Sequence, residues 1–477
     1  MPGAREGHNI KTMPNAEHSI LLVSCYELGH QPAGIVTPLA VLQRAGFHPE
    51  TMDVSVEGFD EDKAKRARFV GISVPMHTAL RLGLRVAEEI RRVNPSTHIC
   101  FYGLYASLNS EYLLSGVADS VVGGEFEEAL LEQITSVLLD NEITDERLRS
   151  EEGDSHSKPV LARVNFATPD RRLLVSLDHY AKLEYRGEQR LAGYVEASRG
   201  CLHLCTHCPI PPVYNGRFFI VPETVVLEDI RGLVAAGAQH ITFGDPDFLN
   251  GPRHSLQIAR AVHQEFPEVT FDFTAKVAHI LKHRHLIPEF ARAGCIFVVS
   301  AVESLSTTVL AHLEKGHTKQ DVSDALTILR DEGISFRPTF VSFTPWGTLD
   351  DYIEMLEFVE CEGLIDNVDP VQYSIRLLIP PGSLILSQPD SSHWLGPLIQ
   401  EVFSYEWKHP DSNMDDLHRR VSNLVEEAVS NNQDTVQTFY DILELAYAAH
   451  GESKQKRIAQ YAPLRLRPPR LTEAWFC

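Results

Sequence analysis

At 477 residues the chain is too long for one ordinary core, so two or three domains are expected. Hydrophobic residues make up 43% and charged residues 23%, the composition of a soluble globular protein. With 65 acidic against 43 basic residues the net charge is −22, which lacks the basic footprint of phosphate-backbone binding and disfavours nucleic acid as a partner. No run of ~18 apolar residues is present, so no membrane span is expected. The first residues hold no apolar stretch of signal-peptide length. The eight cysteines are thinly spread outside one cluster, which argues against a disulfide framework and for a reducing cytosol.

In chain order, residues 1–17 read as a polar tail. SILLVS (19–24), TMDVSV (51–56), FVGISV (69–74), HICFYG (98–103) and DSVVGG (119–124) read as buried strands. Between and after them, 37–46, 77–95 and 125–140 carry helical spacing. This alternation predicts an α/β domain over 18–140, with a doubly wound parallel sheet of Rossmann-like type. The strand ends SCYELGHQPAG, SVPMHTA, FYGLYA and GGEFEE fit either plain turn chemistry or a ligand crevice. Residues 141–190, acidic and Ser-containing at first, read as a linker.

The alternation restarts within 191–389. Strands are expected from YVEAS (194–198) and at 240–245, 269–275, 295–300, 336–341 and 370–377, with helices between them. Six β/α steps predict a partial (β/α)6 TIM-type barrel, whose chemistry sits at the strand C-termini. EKGHT (314–318) reads as a solvated loop between two helices. Residues 390–477 are expected to be mostly helical, closing on an extended Pro- and Arg-rich tail.

RGCLHLCTHC (199–208) places Cys201, Cys205 and Cys208 in a C-x3-C-x2-C spacing after the first strand of the second unit. Three thiolates can hold three irons of a four-iron cluster and leave the fourth iron open to an outside ligand. The other arrangement is a Cys3His zinc site completed by His203 or His207.

On these three cysteines and the β/α repeat behind them, residues 194–380 resemble the radical S-adenosylmethionine (SAM) superfamily. The resemblance implies a [4Fe–4S] cluster on Cys201, Cys205 and Cys208, with SAM chelating the open iron and being cleaved by reduction. It implies an electron donor such as flavodoxin or ferredoxin, and a small-molecule substrate. The turn Gly244-Asp245-Pro246 stands where the superfamily meets the amino group of SAM, although a turn or cap aspartate fits locally as well. Ser300 and Glu303 stand where ribose hydroxyls are bound, or cap the next helix. Lys276 and Arg376 are candidates for the methionine carboxylate, or for ordinary surface ion pairs.

The first α/β domain resembles the cobalamin-binding domain found ahead of many such barrels. It departs from the D-x-H-x-x-G signature, since ELGHQPAG sets Glu27, His30 and Gly34 at other spacings. With cobalamin, methyl transfer to an unactivated carbon or phosphorus is implied; without it, other group transfer or rearrangement. A zinc-stabilised scaffold and a cobalamin-binding sensor that leaves SAM intact are the competing readings. The end RLTEAWFC, with SCYELGHQPAG and PMHTA, resembles the CUAEP/CCAEP-tail radical SAM proteins. That resemblance implies a selenocysteine after Cys477 and a chain that continues beyond it.

Overall fold

The computed structural model describes residues 19–139, 159, 161, 165–451 and 465–472. The chain divides into two compact units, Met1–Glu27 with Pro32–Val175, and Leu28–Gln31 with Ser176–Cys477. Among the described residues no helix is long and apolar enough to cross a membrane.

The first unit holds β1 (Ile20–Ser24), β2 (Glu50–Asp53), β3 (Phe69–Ser73), β4 (His98–Tyr102) and β5 (Ser120–Val122). All pair in parallel in the order β2-β1-β3-β4-β5, a doubly wound arrangement. The central strands β1 and β3 are almost wholly apolar and buried along their length, as strands covered on both faces are. Helices Ala33–Arg44 and Glu127–Leu139 pack Ile35, Leu39, Leu130 and Ile134 with Leu22, Phe69 and Tyr102 on one face. Helix His77–Val93 brings Gly83 so near Ile72, Phe101 and Val74 that a Cβ there would lie 3.2–3.3 Å from them.

Two local readings change. The expected strand 51–56 stops at Asp53, whose carboxylate accepts hydrogen bonds from the backbone N–H (3.2 Å) and hydroxyl (2.6 Å) of Ser55 and caps a short helix, Val54–Glu57. The cap overrides the strand preference of Val54 and Val56. The first helix starts at Ala33 rather than 37 and carries Pro38 inside it. Proline cannot donate to the carbonyl four residues back. That carbonyl, Gly34 O, accepts from the Tyr102 hydroxyl instead, at 2.6 Å.

The second unit opens with the hairpin β6 (Lys182–Tyr185) and β7 (Glu188–Val195), within and just past the stretch expected as linker. Arg186 and Gly187, at φ +53° and +82°, form its two-residue turn. A small antiparallel pair follows, β8 (Ser198–Gly200) and β9 (Phe218–Ile220). Then β10 (His240–Phe243), β11 (Thr270–Thr274), β12 (Cys295–Glu303) and β13 (Ser335–Phe340) extend β7 in parallel. Phe271 and Phe273 pack with Phe243, Phe248 and Phe290. Thr242, Asp272, Thr274, Phe297, Val299, Arg337 and Thr339 line one cavity, most of them at every second position of a strand.

The sixth expected strand is reduced. Residues Pro370–Ser374 form a 3₁₀ turn started by the proline, and one parallel bridge, Phe343 with Arg376, holds the strand position. The C-terminal part has a hairpin, β14 (Leu395–Ile399) with β15 (Ser404–Trp407), and the paired helices Ser412–Ser430 and Thr435–His450. β16 (Arg470–Leu471) joins the outer edge of β6, so part of the expected tail is a sheet edge.

Candidate active site

The cysteine loop is tied at its base by the β8–β9 pair, and the Cys201 N–H donates to Arg217 O at 3.1 Å. Its middle is pinned by Thr206, whose N–H reaches Leu313 O (3.2 Å) and whose hydroxyl reaches His312 O (2.6 Å). Cys201, Cys205 and Cys208 are free thiols, the first two buried and the third half-buried. The Asn250 amide donates to Cys201 Sγ at 3.6 Å, and the Lys276 ammonium to Cys205 Sγ at 3.5 Å. Burial, then the neighbouring sulfurs of Cys205 and Cys201, push the Cys208 thiol up to about 12. Three thiols that feel one another, with N–H donors aimed at two of the sulfurs, fit an iron–sulfur cluster, whose metals replace the protons and whose sulfurs take hydrogen bonds.

A charged cluster stands beside the loop. β12 bulges between Ala301 and Glu303, and Glu303 sits at φ +66°, a costly conformation for a non-glycine residue. The bulge aims its carboxylate at His207 Nε2 (3.2 Å) and Lys315 Nζ (3.3 Å). Burial raises the Glu303 pKa, but the Lys315 charge and the His207 contact outweigh it and hold the group at about 2. His317 is 6% exposed, and neither ring nitrogen has a hydrogen-bond partner. Burial, then Lys315 and Lys276, depress it to about 4, so it is a neutral imidazole. The stretch 314–318 is therefore not a solvated loop at Lys315 and His317. Charged residues between two helices gave no local signal of burial, because the partner, Glu303, comes from a distant strand.

The expected residues divide by what they touch. Asp245 is buried and accepts from the Ala197 N–H at 2.9 Å and from the Ser198 hydroxyl, so its carboxyl braces the strand entering the cysteine loop. Burial outweighs these bonds and raises it to about 7. Gly244 lies against Tyr194, where a Cβ would be 1.9 Å from the ring, and Pro246 is half-buried in the same turn. The Ser300 hydroxyl donates to Ala275 O at 2.7 Å, tying β12 to the residue before Lys276. Arg376 is directed to the C-terminal part: it donates to Asp415 and to Trp407 O, both at 2.8 Å, and lies 3.5 Å from the Trp407 ring centroid. Of the two cations considered for a carboxylate, the structure brings Lys276 to the cysteines.

Asp247, next in the turn after β10, is 1% exposed. Its Oδ1 accepts from the Leu249 N–H at 2.9 Å, while Oδ2 faces His279 Nδ1 (2.8 Å) and His203 Nε2 (3.4 Å). Burial pushes this carboxyl up, but the two imidazoles hold it below the ordinary range. His203 and His207 thus each face a carboxylate, which disfavours either as the fourth ligand of a Cys3His zinc site.

The second unit also holds a cavity of about 170 Å³ lined by Tyr194, Asp272, Arg337, Asp369 and His30 among others. The His30 ring stacks on Tyr194 at 3.5 Å. In the same cavity, Asp272 accepts from His240 (2.8 Å) and Thr242 (2.7 Å), so its carboxylate is fixed in place by a hydrogen-bonded set.

Comparison with known proteins agrees with this geometry. Residues 195–359 match the Radical SAM superfamily. A tRNA-2-methylthio-N(6)-dimethylallyladenosine synthase of Chlorobium limicola is 28% identical over 205 residues, 41% of this chain and 45% of that protein. The chain thus spans about half the length of such curated relatives. An uncharacterized methyltransferase of Pyrococcus horikoshii is 22% identical over 72% of this chain and 76% of its own length. Among solved structures, the cobalamin-dependent SAM radical enzyme OxsB has a TM-score of 0.66 at 17% identity, covering 86% of this chain and 67% of that one. The radical SAM methyltransferase TsrM of Kitasatospora setae has a TM-score of 0.57 at 16% identity, covering 73% and 70%. Residues 195–359, with the three-cysteine loop, are a domain of the radical SAM superfamily, joined to a doubly wound unit in a fold shared with cobalamin-dependent members.

Proposed function

We propose that the chain is a radical SAM enzyme that transfers a methyl or other group to a small molecule, with a [4Fe–4S] cluster held by Cys201, Cys205 and Cys208. The observation that carries this reading is the set of three free thiols on one pinned loop, with Asn250 and Lys276 donating to two of the sulfurs. Bound together, such a cluster and SAM supply one-electron reductive cleavage of a carbon–sulfur bond. The chain's own groups orient and shield. Lys276 is the cation suited to the methionine carboxylate; Glu303 holds His207 of the cysteine loop, and Asp245 acts by bracing the loop's entry strand. The cavity walled by Tyr194, Asp272, Arg337 and Asp369 suits a small polar substrate and sets its contacts away from bulk water.

Cobalamin is proposed as a further cofactor on the likeness of fold. In the loop after β1 the His30 ring stacks on Tyr194 and Glu27 accepts from the Gly34 N–H at 3.2 Å. Retention of cobalt after gel filtration of protein reconstituted with hydroxocobalamin supports this part; its complete loss contradicts it. A flavodoxin or ferredoxin is the proposed reductant and the cytoplasm the proposed compartment. The selenocysteine reading concerns Cys477, outside the described residues. A TGA codon after codon 477, followed by codons for Ala-Glu-Pro, supports it, and TAA or TAG excludes it.

The test of the enzyme reading is anaerobic reconstitution, then addition of dithionite and SAM. The expected result is 5′-deoxyadenosine or S-adenosylhomocysteine from the parent chain and neither from Cys201→Ala, Cys205→Ala or Cys208→Ala. Intact SAM with an iron-loaded parent chain contradicts it.

A further inference from the structure

We propose that His203, Asp247 and His279 form a binding site for a divalent transition-metal ion such as zinc, separate from the cysteine thiolates. The three side chains come from three places in the fold: the cysteine loop, the turn after β10, and the helix Val277–Lys282 that follows β11. One ligand atom from each lies within 4.8 Å of the others.

The packing leaves two buried ring nitrogens beside a buried carboxylate without a well-directed partner. Asp247 is 1% and His279 8% exposed. Nδ1 of His279 and Nε2 of His203 are both buried, and neither makes a hydrogen bond of acceptable direction, although they lie 2.8 and 3.4 Å from Asp247 Oδ2. Two imidazole nitrogens crowd one carboxylate oxygen without pointing hydrogens at it. Atoms that share a tetrahedral metal are spaced in this way: with metal–ligand distances of about 2.0–2.1 Å, neighbouring ligands stand about 3.3 Å apart. The remaining oxygen, Oδ1, accepts from the Leu249 N–H at 2.9 Å, the kind of outer bond that fixes a ligating carboxylate. Oδ2 accepts a long hydrogen bond from the Lys276 N–H at 3.4 Å, which leaves both imidazole nitrogens unsatisfied; a divalent ion would satisfy the carboxylate together with both nitrogens.

Two imidazoles and one carboxylate suit zinc or iron(II) and leave a fourth position open, as in metal sites that take an exogenous ligand. The site uses none of the cysteines, so it stands or falls independently of the cluster.

The full-length chain, cluster-reconstituted without oxygen, would be equilibrated with excess zinc, desalted and analysed for zinc and iron. The parent chain is expected to carry about one zinc beside its cluster iron, and His279→Ala and His203→Gln to lose it with iron unchanged. A chain with Cys201, Cys205 and Cys208 all changed to Ser should keep the zinc while losing the iron. Cobalt(II) added to that chain should give visible d–d bands that vanish on adding His279→Ala. Zinc absent from the folded parent chain, zinc unaffected by His279→Ala and His203→Gln, or zinc lost with the cysteines would each overturn the proposal. His203→Gln, on the loop surface, guards against misfolding of the buried His279 variant.

Discussion

Asp245 shows how one side chain serves the site without touching its chemistry. Its carboxyl is sealed between Ala197 and Ser198, and burial raises its pKa to about 7. A carboxyl that binds its proton more tightly when folded stabilises the fold fully below its unfolded value of about 3.9, and that contribution is lost as pH rises through about 7. Asp245→Asn should flatten this dependence. Between pH 4 and 7 the parent chain should lose on the order of 1–4 kcal/mol relative to the variant in urea unfolding. Parallel pH profiles would contradict the buried, raised carboxyl. At this scale the cysteines were legible because they are neighbours in sequence. Asn250 and Lys315 were not, because each meets the loop's surroundings only through the turn of the barrel. Asp247 and His279 were equally silent, although the Asp that caps a 3₁₀ turn three residues before Asn250 is a local signal that could have drawn attention to this stretch.

Among the elements, strand–helix alternation was readable because strands buried on both faces are apolar throughout and helices keep their spacing. What escaped was set by single side chains acting at a distance. Pro38 reads as an early position of a helix, and only Tyr102, 68 residues away in sequence (34 to 102), explains how the helix runs through it. Tyr102→Phe should leave Gly34 O unpaired in the core and cost about 1–3 kcal/mol in chemical denaturation. A change below a few tenths of a kcal/mol would mean that the bond does not support the proline-containing helix. Asp434 makes a similar case near the end of the chain. It caps helix Thr435–His450 through the Val436 N–H at 2.8 Å and receives Arg465 and Arg467. Asp434→Ala should cost about 1–2 kcal/mol and speed proteolysis near residue 465, whereas Asp434→Asn should keep most of the cap and lose the ion pairs. Equal stability of the parent and alanine chains would count against this anchoring.

For the whole molecule, two compact units are present, and the cysteine loop lies in the second. The order β2-β1-β3-β4-β5 and the five parallel strands β7 and β10–β13 follow the expected plan, while the sixth step survives as a single bridge because Pro370 starts a turn where a strand was expected. Whether the loop 201–208 carries a cluster that cleaves SAM is read most directly from iron, sulfide and SAM-cleavage stoichiometry on one anaerobic preparation. The expected result is about four irons per chain and cleavage of SAM under dithionite, both abolished together by Cys205→Ala. A chain that folds, holds zinc on its cysteines and leaves SAM intact would contradict it.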